Sequence, residues 1–340
     1  MQQLWKLVLP AGLGLAVASI TGISGLEDAS WYLLTISALL AIGLYGSTYS
    51  IDLRAARQDW RLILAAVTIG VIVKAALIGL SLALLWRDPL FLVLGVAVAQ
   101  IDPLAVASIL DNPRMSPRAK SILAAWSSFD DPITVILAVY AATIVASAKG
   151  IHLAHAAWQK DLLLNVVFAA GAWVLWLLVR RWEKAVLVLA VVLLGVAVWQ
   201  FTFLGLAIAG LFVRPRLGRV LHDAVQLALV CASFLLGLLL FEGVSAVKGI
   251  ALGLAAFGAQ IVAGFLLTNH LPSADRVHLA FAQQNGITAI ILALLLQAQF
   301  GGVIAVVAPA ILTINLIHLA ANKVIDRRAV SAGLESDSPA

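Results

Sequence analysis

The sequence predicts an all-α polytopic membrane protein of about twelve transmembrane helices. Three observations predict it. Hydrophobic residues make up 63% of the chain and charged residues only 11%, against about 25% charged in a soluble domain. Apolar runs of roughly 17–25 residues, the length that crosses a hydrocarbon core, recur from end to end. Lys and Arg cluster in alternate connecting segments, as they do in cytoplasmic loops.

The runs, in order, are Leu7–Gly25, Trp31–Ile51, Leu62–Trp86, Leu90–Leu110, Ala119–Ala148, Leu162–Val179, Ala185–Trp199, Phe201–Val213, Asp223–Phe241, Gly249–Thr268, His278–Gln297 and Val303–Ala321. The seventh and eighth are short and also read as one long helix, closed by Arg214-Pro215-Arg216. Charge separates the two readings. With twelve spans and both ends inside, the inner segments hold Lys6, Arg54, Arg57, Arg61, Arg114, Arg118, Lys120, Arg180, Arg181, Lys184, Arg214, Arg216, Arg219, Arg276, Lys323, Arg327 and Arg328. The outer segments hold Arg87, Lys149, Lys160 and Lys248. Merging the seventh and eighth runs inverts everything after them and destroys this bias. Trp31, Tyr32, Trp60, Trp86, Trp158 and Trp182 lie near helix ends, where an aromatic belt belongs.

The expected organisation is one transmembrane domain over 1–330, with a disordered polar tail at 331–340. The run after Lys6 imitates a signal peptide, but no small-residue cleavage site follows it. The protein is expected to be multi-pass in a plasma (inner) membrane, with both termini cytoplasmic. The net charge of +5 does not point to nucleic acid, because the basic residues sit in short loops. The single cysteine, Cys231, excludes an internal disulfide and reads as a small apolar residue. His152, His155, His222, His270 and His278 fall in loops or at helix ends and read as solvated.

Intramembrane charge locates the chemistry. Of 17 acids, Asp102, Asp130 and Asp131 alone fall well inside spans; of 22 bases, Lys74 alone does. Unpaired in lipid, these four would cost on the order of 10 kcal/mol. They are expected to face one another, the protein interior or water, and such residues mark ion and proton paths.

Two spans are expected to break. Pro103 lacks an N–H and clashes with the preceding turn, so the fourth span opens at Gln100-Ile101-Asp102-Pro103. Asp102 is placed to cap the half-helix that follows. Gln283-Gln284-Asn285-Gly286 places four polar or flexible residues at the middle of the eleventh span. Gln283, Gln284 and Asn285 are expected mainly to satisfy opened backbone. If spans one to five and eight to twelve are two repeats, each break lies in the fourth helix of its half. An odd number of spans makes the halves antiparallel. Interrupted helices at matching places of inverted repeats point to a transporter's binding site.

Gln100-Ile101-Asp102-Pro103-Leu104-Ala105-Val106 resembles the Thr-Asp-Pro-Val-Ala-Val break of the monovalent cation/proton antiporter superfamily. Ser127-Ser128-Phe129-Asp130-Asp131-Pro132 resembles its Ser-x-x-(Asn/Asp)-Asp motif, and Gly205-Leu206-Ala207-Ile208-Ala209-Gly210-Leu211 resembles its Gly-Ala-Phe-x-Ala-Gly-Leu segment. The similarity runs from Leu7 to about Lys323, and its Asp-Asp pair marks the sodium/proton antiporters of that type. The resemblance implies the sodium/proton antiporter fold, with a panel domain, a core domain and two broken helices that cross. It implies that Asp131 binds the cation or the protons, that Asp130 stands where electrogenic members carry Asp, and that Asp102 lies at the crossing. It implies a transporter rather than an enzyme, without a cofactor, exchanging Na+, K+ or Li+ for H+, with homodimeric relatives.

The chain departs from the family pattern at four places. Ile101 replaces the usual Thr, Trp126 stands where electroneutral members carry Glu, and Asn285-Gly286 replaces Arg-Gly. The tenth span carries Gln260 and no Lys, so Lys74 of the third span, its repeat counterpart, is the candidate partner of Asp130.

A buried carboxylate is penalised when charged, and a bound cation offsets that penalty. Asp131 is therefore expected to carry protons or an alkali cation in turn, with Asp130 adding a proton or a ligand. Ser127, Ser128 and Thr134 supply hydroxyls, which either ligate or bond back to the helix. The alternatives are a sodium-coupled symporter or potassium-efflux transporter of the same fold. More remote is an intramembrane aspartyl protease, which adjacent Asp130 and Asp131 suit poorly.

Overall fold

The computed structural model describes residues 2–51, 57–110, 115–150 and 158–336, with side chains at 4–51, 57–106, 115–150, 162–325 and 327. Arg54, Arg114, His152 and His155 lie outside the described residues. Among those described, every regular element is helical. Among the described residues, nine helices are long and apolar enough to cross a membrane.

Helix α1 spans Gln2–Thr21 and α2 spans Tyr32–Tyr49. Helix α3 runs Trp60–Trp86 and contains a π-helical turn at Ala66–Gly70, immediately before the turn that carries Lys74. Helices α4 (Leu90–Val98) and α5 (Pro103–Leu110) are the halves of the fourth run. Then come α6 (Pro117–Ala148), α7 (Trp158–Val179), α8 (Glu183–Gln200), α9 (Phe203–Gly210) and α10 (Gly218–Leu239). Helix α11 spans Ala246–Leu267. Helices α12 (Ser273–Ala280) and α13 (Ile287–Phe300) are the halves of the eleventh run, and α14 spans Val303–Ser336.

Two boundaries differ from expectation. Phe201 adopts a left-handed φ of 56° between α8 and α9, so the seventh and eighth runs stay separate. Yet α9 has 8 residues, about 12 Å of helix, against roughly 30 Å of hydrocarbon. It is packed inside the bundle, and Asn165 Oδ1 accepts from Gly205 N–H at 2.8 Å. Turns over Leu211, Phe212 and Val213 carry the chain on to Arg214-Pro215-Arg216. At the other end, α14 continues through 331–336, where a disordered tail is expected from polarity. The helix-favouring residues of 319–334, such as Ala, Lys and Arg, outweigh that polarity.

The bundle is tied at both ends. At the end rich in Lys and Arg, Tyr49 Oη donates to Pro215 O at 2.6 Å, Arg118 pairs with Asp59, and Ser116 Oγ donates to Asp275. At the opposite end Lys149 pairs with Asp88 at 2.9 Å, and Gly25 N–H donates to Glu242. Tyr32 Oη donates to Leu294 O there.

Between the ends the apolar core is divided. The smaller part holds Leu62–Val67 residues of α3, Ile101, Val106, Leu123 and Trp126 of α6, Leu279 and Ala282. The larger part takes over at Ala75 in α3, Val135 in α6 and Ile287 in α13, and it includes α4 up to Ala99. Lys74, Gln100, Asp102, Asp130, Asp131, Gln283 and Asn285 are all buried at these changeovers. Each helix passes from one core to the other through a polar residue, so the polar residues form a layer. Irregular backbone at membrane depth is stable when it is enclosed in this way.

Candidate functional site

Residues 99–102 and 281–286 are the two breaks, and they meet. Asp102 N–H donates to Gln284 O at 3.0 Å. The Gln283 amide faces Val98 O at 3.0 Å, Gln100 O at 2.8 Å and Asn285 Oδ1 at 2.8 Å. Asn285 Nδ2 donates to Val98 O at 3.2 Å. Opened carbonyls of α4 are thus satisfied by amides of the second break. Gln283 and Asn285 both bond to opened backbone.

Asp102 caps α5. Its Oδ1 accepts from Leu104 N–H at 2.9 Å and Ala105 N–H at 3.1 Å, which places a carboxylate on the positive end of the half-helix. The first N–H groups of α13, at Ile287 and Thr288, face the same carboxyl group. Asp102 Oδ2 makes no hydrogen bond of good geometry among the described residues. Gly286 is required by closeness: a Cβ there would lie 2.7 Å from both Cγ and Oδ2 of Asp102. Gly286→Ala is expected to destabilise the protein by about 1–3 kcal/mol, the usual effect of overpacking. A thermal melt of the purified variant checks this; a melt equal to wild type would mean that the crossing is looser than described.

The α6 carboxylates point to different neighbours. Asp130 Oδ2 accepts from Lys74 Nζ at 3.1 Å and from Ile101 N–H at 3.0 Å. The Asp130 and Lys74 side chains are both 0% exposed. Lys74 Nζ also lies 5.5 Å from the centre of the Trp126 ring, a cation–π contact. The one intramembrane base thus meets an intramembrane acid, and α3 supplies it. Asp131 has uncharged partners instead. Ser47 Oγ of α2 donates to its Oδ2 at 2.9 Å. With its amide oriented to accept from Ala289 N–H at 2.6 Å, Gln100 donates to Asp131 Oδ1 at 3.1 Å. Thr288 is a further hydrogen-bond neighbour, and Asp102 is the first of the charges that bear on Asp131.

The remaining expected residues divide. Ser127 Oγ donates back to Ala124 O at 3.2 Å, as hydroxyls in helices do. Ser128 and Thr134 are buried, and Thr134 Oγ1 has no hydrogen-bond partner among the described residues. Gln284 reaches the layer through its backbone and borders a cleft. His278, expected to be solvated, is 5% exposed, because α12 packs inward against α11. Ser47 carries no sequence signal; it is one of four Ser and Thr residues in α2. Asn315 also reaches the site, where its amide engages both backbone groups of Asn285.

A cleft opens beside the crossing. It runs from Leu4 of α1 and Leu319 of α14 to Asp102, Asn285 and Gly286 at the crossing.

The sequence matches, over residues 6–320, the model of a family described as "Sodium/hydrogen exchanger, transmembrane". No curated protein matches. Among solved structures, the sodium proton antiporter MjNhaP1 from Methanocaldococcus jannaschii at pH 8 is similar with a TM-score of 0.63 and 16% identity, over 96% of this chain and 99% of that one. An electron-microscopy structure of the same antiporter gives 0.62 and 15%, over 97% and 88%. At such identity the structures establish a shared fold, while the family match spans nearly the whole sequence. The chain belongs to the transmembrane sodium/hydrogen exchanger family.

Proposed function

We propose that this antiporter exchanges a monovalent cation for protons at Asp131, by alternating access through the crossing of the two breaks. The observation that carries the reading is the unequal treatment of two adjacent carboxylates. Asp130 is neutralised by Lys74, whereas Asp131 is fully buried among neutral donors. A charged carboxylate there is penalised by burial, and either a proton or a cation relieves the penalty. The two ions therefore compete for one site, and exchange follows without contact between them. Asp102, beside Asp131 at the end of the cleft, takes the ion up from the cleft side and hands it on. Na+ is the cargo, with K+ and Li+ as alternatives, and no cofactor takes part.

Ser47 suits both states of the carboxyl group. Its single proton has two acceptors in reach, Asp131 Oδ2 at 2.9 Å and Gly43 O at 3.0 Å. It donates to the anion, and turns to Gly43 when Asp131 is protonated or holds a cation. Asp130 and Lys74 form a fixed strut that grips the first break at Ile101. The basic end of the bundle is the cytoplasmic end, in a plasma membrane, which makes the cleft an inward opening.

Proton flux in proteoliposomes tests the reading, with Na+, K+ and Li+ gradients in turn and the membrane voltage clamped or free. Cation-driven proton movement is expected with Na+. Its absence with all three cations would overturn the proposal. Solute uptake driven by Na+ without proton movement would favour a symporter instead.

A further inference from the structure

The second break is held by a side chain that no charge count singles out. Asn315 lies on α14, and its amide meets both backbone groups of one residue. Asn285 N–H donates to Asn315 Oδ1 at 3.2 Å, and Asn315 Nδ2 donates to Asn285 O at 2.8 Å. The side chain thus bonds the non-helical backbone of the break at two points. Asn285 is 1% exposed, so an unmatched N–H or C=O there would be costly.

The first break is held in a corresponding way. Asp130 of α6 accepts from Ile101 N–H across 29 residues, and Asn315 accepts from Asn285 N–H across 30. The residue after each gripped position is Asp102 in one break and Gly286 in the other. These two are in contact, since a Cβ on Gly286 would collide with the Asp102 carboxyl group. The gripping residues therefore fix the two chains at the point where they touch. One grip uses a carboxylate neutralised by Lys74, and the other uses an amide that needs no counter-charge.

We infer that Asn315 is a positioning residue for ion exchange: its two-point grip on Asn285 sets Gly286 against Asp102 and so shapes the ion site. For its transport consequences, the inference rests on the exchange function proposed above.

Chemistry supplies an informative variant. A protonated carboxyl group has the same donor and acceptor arrangement as an amide. In Asn315→Asp it can accept from Asn285 N–H and donate to Asn285 O. Once ionised it loses the donor and turns an oxygen toward the Asn285 carbonyl. The titratable groups bordering the same cleft are Asp102, from the first break, and His318, one turn along α14. Both remain in wild type, which is the control for their own titration.

Three proteins are compared in proteoliposomes across pH: wild type, Asn315→Asp and Asn315→Leu. Asn315→Asp is expected to approach wild-type exchange at the acid end. Its apparent KM for cation should then rise about tenfold relative to wild type as pH increases, the size expected for a lost buried hydrogen bond. Asn315→Leu should show the higher KM at every pH. An Asn315→Asp profile that parallels wild type throughout would overturn the inference, as would a wild-type KM in Asn315→Leu. A thermal melt of Asn315→Asp against pH gives a reading independent of transport. The melting temperature should fall relative to wild type as pH rises; a constant difference would also overturn the grip. If wild type exchanges no cation while this melt shift is present, the proposed function fails and the grip stands.

Discussion

Replacing Asp131 with Asn should abolish cation-driven proton movement in everted vesicles while leaving the fold in place. The argument rests on what Asn keeps and what it loses. Its oxygen can still accept from Ser47, which now stands at 2.9 Å from Asp131 Oδ2. It is isosteric with Asp in a fully buried site, so no cavity opens. A neutral amide is cheaper to bury than an ionised carboxylate, which offsets the hydrogen bond from Gln100 that the new amide nitrogen cannot accept, so stability should roughly hold. What disappears is the ability to alternate between proton and cation. Asp102 remains, yet its Oδ1 is committed to Leu104 and Ala105 at the start of α5. Reconstituted Asp131→Asn protein with wild-type thermal stability and no flux is the expected result. Persisting cation-dependent flux would move the carrier to Asp102 or Asp130.

The parts of this site visible in the sequence are those with a large energetic signature. Pro103 announces the first break because a missing N–H and a ring clash cannot be hidden in a helix. The second break shows through four consecutive polar or flexible residues, Gln283 to Gly286. Lys74 stands out as the one base deep in a span, but its choice of Asp130 over Asp102 or Asp131 is implied only by the family resemblance, through the Lys that the tenth span lacks. Ser47, Gln100 and Asn315 are different. A single hydroxyl or amide costs little in an apolar helix, and many bond only to their own backbone. Whether such a residue faces a break or a lipid depends on rotation of the helix, which short uniform apolar runs do not encode. The π-helical turn at Ala66–Gly70 is hidden too, as Ala-Val-Thr-Ile-Gly reads as part of an unbroken apolar run. The shortness of α9 is hidden as well, because an apolar run does not show how much of it is helical.

The strut formed by Lys74 and Asp130 yields the second large effect. Both side chains are 0% exposed, so each charge depends on the other. Removing one partner of a buried pair costs about 3–5 kcal/mol, mostly from the charge left behind. Lys74→Met and Asp130→Asn should each lose about that much in unfolding experiments. The double variant has no charge to strand. Methionine fills much of the lysine volume beside Trp126, and the new amide oxygen can still accept from Ile101 N–H, now 3.0 Å from Asp130 Oδ2. Replacing a buried pair with neutral groups of similar size is often close to neutral. The double variant is therefore expected to recover most of the loss, giving a coupling energy of roughly 3 kcal/mol in a double-mutant cycle. Additive losses would show that the two charges are not mutually dependent. The cycle bears on transport as well. If the pair only grips the first break, the refolded double variant should retain Asp131-dependent exchange. A double variant that is stable but inactive would make Asp130 part of the ion site rather than part of its frame.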